Sequence, residues 1–244
     1  MKSTLRPGAF LSGFTVFLVV SVLGFFRLAP DAVPPDPNAP DEFGQRDIEI
    51  IKKEISRFYL LVSSRERQGQ ISRKTRERYF REFVRGRASH IKIDKIPPKS
   101  AWKYGEVFRA ANMWPEAKRV YQIAVNVAPP DEDRRVNDTL RLAQCEAKMG
   151  DVPKAIGLAR STFDAPPGNK PPILFAVYLE VAPAAAGKGH DTELARLIRG
   201  AVEQARAAEV VPTSSGGRDF LLTREYHINR ALELAVSLEN GGGQ

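Results

Sequence analysis

One pair of landmarks occurs twice in this chain, at the same spacing. Pro115-Glu116-Ala117 recurs as Pro153-Lys154-Ala155, and twelve residues after each alanine comes a proline of an Ala-Pro-Pro triplet, Pro129 and then Pro167. Matched landmarks at one offset predict a duplicated structural unit. The apolar residues around them follow a helical period, and no run of alternating strand residues competes with it. Each unit therefore reads as two short amphipathic helices packed back to back. A hairpin of that kind cannot bury its apolar face alone and must stack on a neighbour. The expected fold class is all-α: an antiparallel helix-hairpin solenoid.

The first copy, Ala101–Pro129, is the more complete. It places Gly105 and Phe108 in the first helix, a turn at Asn112-Met113-Trp114, then Ala117, Tyr121, Ala124 and Pro129. This order of small, large, turn, small, aromatic, small and proline resembles a tetratricopeptide repeat (TPR). Gly105 and Ala117 let two helices approach closely, while Phe108 and Tyr121 fill the volume between them. Pro115 sits at a helix start, where its missing N–H is harmless. The second copy has Ala143, a turn at Gly150-Asp151, then Ala155 and Pro167, with Asp151 expected to cap the second helix. It departs from the pattern at Glu146 and Ala159, where large residues belong, and at Thr162, where a small one does. A degenerate third copy has Ala182, Gly189, Leu194, Ile198 and Ala201, with Asp191 as the expected cap. Pro183 implies a kink in its first helix. From Ala117 to Ala155 to Leu194 the spacing is 38 and then 39 residues, against ~34 for the family. The excess falls in the loops PPDEDRR and APPGNKPP. The resemblance covers about residues 99–208. Residues 209–244 read as a capping helix and tail, with Ile228, Ala231, Leu232, Ala235 and Leu238 facing inward.

Gly8–Phe26 is nineteen residues without a charge. At ~1.5 Å per residue, a helix of that length just spans a ~30 Å hydrocarbon core. A signal peptide has an apolar region of ~7–15 residues ending at a small-x-small site. Here Arg27 stands where cleavage needs a small residue, so residues 1–27 are expected to be an uncleaved signal-anchor, a single N-terminal transmembrane helix. A buried core helix is the structural alternative. Lys2 and Arg6 favour a cytoplasmic N-terminus and a body outside the cytoplasm, whereas Arg27 pulls the other way. Residues 28–45, with Pro30, Pro34, Pro35, Pro37 and Pro40, read as an extended linker.

The net charge of +8 is concentrated in one segment: residues 45–100 carry sixteen Lys/Arg against seven Asp/Glu, and residues 101–244 balance at eighteen each. Within residues 46–98, Ile48, Ile51, Ile55, Phe58, Tyr59 and Val62 share one helical face, and Ile71, Tyr79, Phe80, Phe83 and Val84 another. The second face is opposed by Arg73, Lys74, Arg76, Arg78, Arg81 and Arg85. A basic αα-hairpin is expected, its outer surface either solvated with local pairs (Glu77 with Arg81, Glu82 with Arg78) or facing anionic lipid or an acidic protein. Nucleic acid is the weakest of these readings, because no base-reading motif accompanies the charge.

No catalytic constellation emerges. His90, His190 and His227 are isolated, and G-x-S-x-G, phosphate-loop and H-E-x-x-H motifs are absent. The single cysteine, Cys145, lies in an apolar-periodic helix and excludes both an intrachain disulfide and the usual Cys-based zinc site. No cofactor or metal is expected. The TPR resemblance instead implies binding, in a concave groove lined by the first helix of each hairpin. Transferred by helical face, the groove residues are Trp102, Glu106 and Arg109, then Asn137, Gln144 and Lys148. Trp102 and Glu106 stand where the carboxylate-clamp subgroup carries Lys and Asn, so that activity is not expected. The functional expectation is a membrane-anchored scaffold that recruits a protein partner. The alternatives are a structural subunit or assembly factor of a membrane complex, and an electrostatic adaptor at the membrane surface.

Overall fold

The computed structural model describes residues 47–127, 132–165, 171–208 and 215–241. The expected membrane segment 1–27, the linker 28–45, Pro129 and Pro167 lie outside the described residues. Among the described residues the chain is helical with no strand.

Helix α1 (Ile48–Arg67) and helix α2 (Arg73–Ala88) form the basic hairpin. Asp47 caps α1 by accepting from the Glu49 N–H, and Ser72 caps α2 by accepting from the Thr75 N–H. Their seam is aromatic: Phe58 stacks on Phe83 with centroids 4.1 Å apart, and Tyr59 meets Phe80 edge-on at 5.3 Å. Two short 3-10 turns (Ile93–Lys95 and Pro98–Ser100) lead into α3 (Ala101–Ala110). Ser100 does not cap α3 as its position predicts. The turn that begins at Pro97 points its hydroxyl back to the Pro97 carbonyl at 3.1 Å.

The duplicated landmarks fall on two hairpins, α3 with α4 (Trp114–Asn126) and α5 (Glu132–Met149) with α6 (Val152–Arg160). Pro115 and Pro153 each sit in a first helical turn, and Asp151 caps α6 by accepting from the Lys154 N–H. The first helix of each hairpin ends with one motif. The Met113 N–H bonds the Phe108 carbonyl and the Asn112 N–H that of Arg109, while Asp151 bonds Glu146 and Gly150 bonds Ala147. This is the Schellman arrangement, which needs a left-handed residue at its centre. Asn112 (φ 56°) and Gly150 (φ 98°) provide it.

Two glycines of the second hairpin should therefore respond to alanine with opposite signs. Nothing lies within 4 Å of a Cβ added at Gly150 or at Gly157. Gly150→Ala is expected to lose about 1–2 kcal/mol from backbone conformation alone. Gly157→Ala, inside α6, is expected to gain about 0.5–1 kcal/mol. Urea unfolding of the two variants measures both, and equal signs would contradict the turn geometry.

The third hairpin pairs an irregular first helix with a regular second. Helix α7 (Pro171–Ala176) runs into a wide π-turn (Val177–Val181), then into α8 (Ala182–Ala185). Pro183 has no N–H for the Leu179 carbonyl, and the Ala182 N–H reaches back five residues to Val177. The kink expected at Pro183 thus takes the form of a widened turn. The second helix, α9 (Asp191–Arg206), buries Leu194, Leu197, Ile198, Ala201, Val202 and Ala205. Asp191 begins α9 rather than capping it and accepts from the Gly187 N–H at 2.8 Å. Helix α10 (Ser215–Glu239) closes the array on α9 through Ile228, Ala231, Ala235 and Leu238.

The core has two parts, with α5 between them. Leu142 and Cys145 face the part built by α1 to α4. Val136, Leu140, Ala143 and Ala147 face the part built by α6 to α10.

Candidate functional site

The first helices α3 and α5 and the π-turn bring their polar side chains to one place. Glu106 and Arg109 lie one helical turn apart on α3, and Arg141 and Gln144 likewise on α5. Glu180 arrives from the π-turn. Arg109 holds the Glu106 carboxylate with two nitrogens at 2.5 and 3.2 Å, and Arg141 approaches it at 3.3 Å. The Tyr121 hydroxyl donates to Glu106 at 2.6 Å from α4. Arg141 also pairs with Glu180, which lies 3.9 Å from Arg109. The Gln144 amide oxygen accepts from Arg109 at 3.4 Å.

These charges are largely withdrawn from water: Arg109 is 5% exposed, and the side chains of Arg141, Glu180 and Glu106 are 19%, 20% and 28% exposed. Two cations and two carboxylates balance, which is what permits the burial. Desolvation works against ionising Glu106, yet the neighbouring Arg109 and Arg141 outweigh it and hold its carboxyl at about 2. Burial and the adjacent Glu106 carboxylate push Tyr121 well above the ordinary phenol range, so it stays a donor.

Glu106, Arg109 and Gln144 are thus brought together, as an internal network. The other expected groove residues are separate from it. Trp102 is half-buried, with the Arg134 guanidinium 4.5 Å from its ring centroid and the Lys103 and Lys52 ammonium groups at 5.8 and 6.0 Å. Asn137 is exposed on α5, and Lys148 is exposed at its far end, 5.7 Å from the Trp114 ring. Arg141 fills the gap in the Asn137–Gln144–Lys148 stripe, so continuing that spacing through the helix would have found it. Glu180 had no such signal, because the π-turn shifts the helical phase around it.

The second-copy departures have a use of their own. Glu146 is fully buried, and Lys118 of α4 and Lys154 of α6 each reach it at 2.8 Å. Thr162 turns its hydroxyl onto the Ala159 carbonyl at 2.7 Å. Cys145 is buried, and desolvation pushes its thiol up to about 12.

In the basic hairpin the six cations separate into two kinds. Arg76 is buried against Glu66 at 2.6 Å, and Arg73 pairs with Glu77 at 3.0 Å. Glu77 therefore serves Arg73 and Arg76, not Arg81. Lys74, Arg78, Arg81 and Arg85 remain exposed on α2.

The histidines do not converge. His90 is exposed, His190 pairs with Glu193 at 2.8 Å, and His227 bonds the Tyr178 hydroxyl between Phe175 and Tyr226. Among the described residues, no group of three or more His, Cys, Asp or Glu could hold a metal ion, and no helix is long and apolar enough to cross a membrane. No protein-family model, curated protein or solved structure matches the chain.

Proposed function

We propose that this chain is a membrane-anchored, TPR-like scaffold that captures a protein partner along the row formed by α3, α5 and the π-turn. Residues 1–27 would provide a single-pass anchor and residues 28–45 an extended spacer, with the hairpins outside the cytoplasm. One observation carries the reading. The middle of the row neutralises itself through Glu106, Arg109, Arg141 and Glu180, while one end presents the half-buried Trp102 ring beside Arg134, Lys103 and Lys52, whose carboxylate partners are Asp138 and Glu49. A half-buried tryptophan at the end of a self-neutralised polar row suits a segment that brings an apolar side chain to it, and tryptophan is a frequent anchor residue at interfaces. The role proposed is binding rather than catalysis.

A photo-crosslinking residue at Asn137 tests this, with Arg119 on α4 as the control position; both sites are exposed. The expected result is a discrete adduct from Asn137 alone, lost when Trp102→Ala is combined with Arg134→Ala. An adduct indifferent to that pair, or found equally from Arg119, rejects the groove. Arg109 is unsuitable as a probe because it is buried in the ion network.

A second reading, a fixed subunit of a membrane complex, draws on α10. There Leu221, Leu222 and Tyr226 are exposed, Leu222 at 84%. Stoichiometric co-purification in mild detergent would favour it over transient capture.

A further inference from the structure

The outward cations of α2 form a straight row. Lys74, Arg78, Arg81 and Arg85 follow one another at intervals of four, three and four residues. At ~100° per residue they fall within an arc of about 60° and extend ~16 Å along the helix. All four are exposed, and among the described residues none of them makes an ion pair. The packing of the hairpin explains why they are left out. Three of its carboxylates are used elsewhere: Glu66 and Glu77 hold Arg76 and Arg73, and Glu54 holds Arg87 at 2.8 Å, which leaves Glu82 as the exposed carboxylate flanking the row. The exposed side of α1 adds Lys53 and Arg57, with Leu60 at 53% and Leu61 at 48% exposure beside them.

We propose that the α1–α2 hairpin docks on an anionic phospholipid surface, the Lys74–Arg78–Arg81–Arg85 row contacting headgroup phosphates and Leu60 and Leu61 entering the interfacial region. Charge complementarity favours an anionic occupant. Leu60 and Leu61 favour lipid over nucleic acid, because a phosphate backbone offers nothing to two exposed aliphatic side chains, whereas a membrane interface does. The length of chain outside the structure points the same way. The uncharged run Gly8–Phe26 ends twenty residues before Asp47. Extended at ~3.1 Å per residue, that stretch lets the whole row reach the bilayer that holds the anchor. Tethering raises the effective concentration of surface and row for each other. This last point rests on the anchor proposed above; the charge and exposure of the hairpin do not.

The test uses the full chain with Leu61→Cys carrying an environment-sensitive dye. Cys145 is buried with its thiol held protonated, so the dye is directed to position 61. The labelled chain is incorporated into vesicles of phosphatidylcholine alone or with about 30% phosphatidylserine, a surface charge sufficient to hold polybasic segments. Quenching by lipid-borne spin labels then reports docking. The expected result is quenching only in the anionic vesicles, relieved by about 0.5 M salt. Alanine at all four row positions should lower the docking equilibrium constant on the order of 10³-fold, roughly fivefold for each cation. Arg73→Ala, whose partner is Glu77, should do less than any single row substitution.

Equal quenching in neutral vesicles, no quenching in either, or indifference to the four alanines would overturn the proposal. So would displacement of the hairpin by a nucleic-acid duplex, with no dependence on phosphatidylserine. Docking that appears only after Asp31, Asp36, Asp41 and Glu42 are amidated would assign the row to the chain's own acidic linker instead. An alkaline wash of the same vesicles reports the anchor separately. A chain that washes off yet was quenched beforehand loses the anchor and keeps the docking surface.

Discussion

Glu106→Ala is expected to cost about 3–5 kcal/mol of folding stability, the largest effect of any exchange at the polar row. The loss comes less from the bonds removed than from what stays behind. With the carboxylate gone, Arg109 and Arg141 share only Glu180, and Arg109 lies 3.9 Å from it. Arg109 is 5% exposed and cannot turn to water without unpacking α3 from α5. Glu106→Gln keeps the shape and an acceptor for the Tyr121 hydroxyl, so it should cost less than alanine while still leaving one net positive charge. Urea midpoints of the two variants against the parent give the ordering. A Glu106→Ala variant within about 1 kcal/mol of the parent would place this network in the class of ion pairs that contribute little.

The same carboxylate sets a pH dependence. Its folded-state value of about 2 lies below the ordinary range for glutamate. A depressed carboxyl stabilises the fold above the unfolded value and loses that contribution as pH falls through the folded one. Stability should therefore decline between about pH 4.5 and pH 2, by about 3 kcal/mol from this group. In Glu106→Gln that component of the decline should be missing, although the variant starts lower at neutral pH.

Gly105→Ala is expected to cost about 1–3 kcal/mol, even though alanine is the better helix former. A Cβ at this position would lie 2.7 Å from the Tyr121 ring, closer than real contacts allow. Tyr121 cannot simply swing aside, because its hydroxyl is committed to Glu106 at 2.6 Å and its ring is fully buried. The substitution thus presses on the ion network as well as on the core. In a Tyr121→Leu background the obstruction is absent, and Gly105→Ala should become neutral or stabilising by up to about 1 kcal/mol. That reversal, measured as a double-mutant cycle, separates close packing from any intrinsic intolerance of α3 to alanine. Additive effects would show that the Tyr121 ring is not what excludes a side chain at Gly105.

How far the sequence could be read depended on the range over which each feature acts. The hairpins α3–α4 and α5–α6 were legible because their signals are local: a proline in the first turn, a left-handed residue at the turn, an apolar stripe. The buried stripe of α9 was legible for the same reason. Ser100 stands where an N-cap belongs, but Pro97, three residues upstream, diverts its hydroxyl into a 3-10 turn. Asp191 was misread because the turn at Gly187 claims its carboxylate. The polar row was half legible. Helical face grouped Glu106, Arg109 and Gln144, which the structure brings together, but gave no hint that they satisfy one another. Arg141 and Glu180, which complete the network, are 39 residues apart and meet only once the third hairpin has stacked on the second. The division of the basic cations into paired and outward sets was likewise hidden, since Arg76 is buried by a contact with Glu66 across the α1–α2 turn.

Helix α5 forms a wall shared by two cores, with Leu142 and Cys145 on one side and Leu140, Ala143 and Ala147 on the other. Neither half of the array is complete without it. A break in the chain just before α5 would strip the first half of one boundary, and a break just after it would strip the second. The array should consequently melt in a single cooperative step, and strain applied to α5 from either side should be felt on the other.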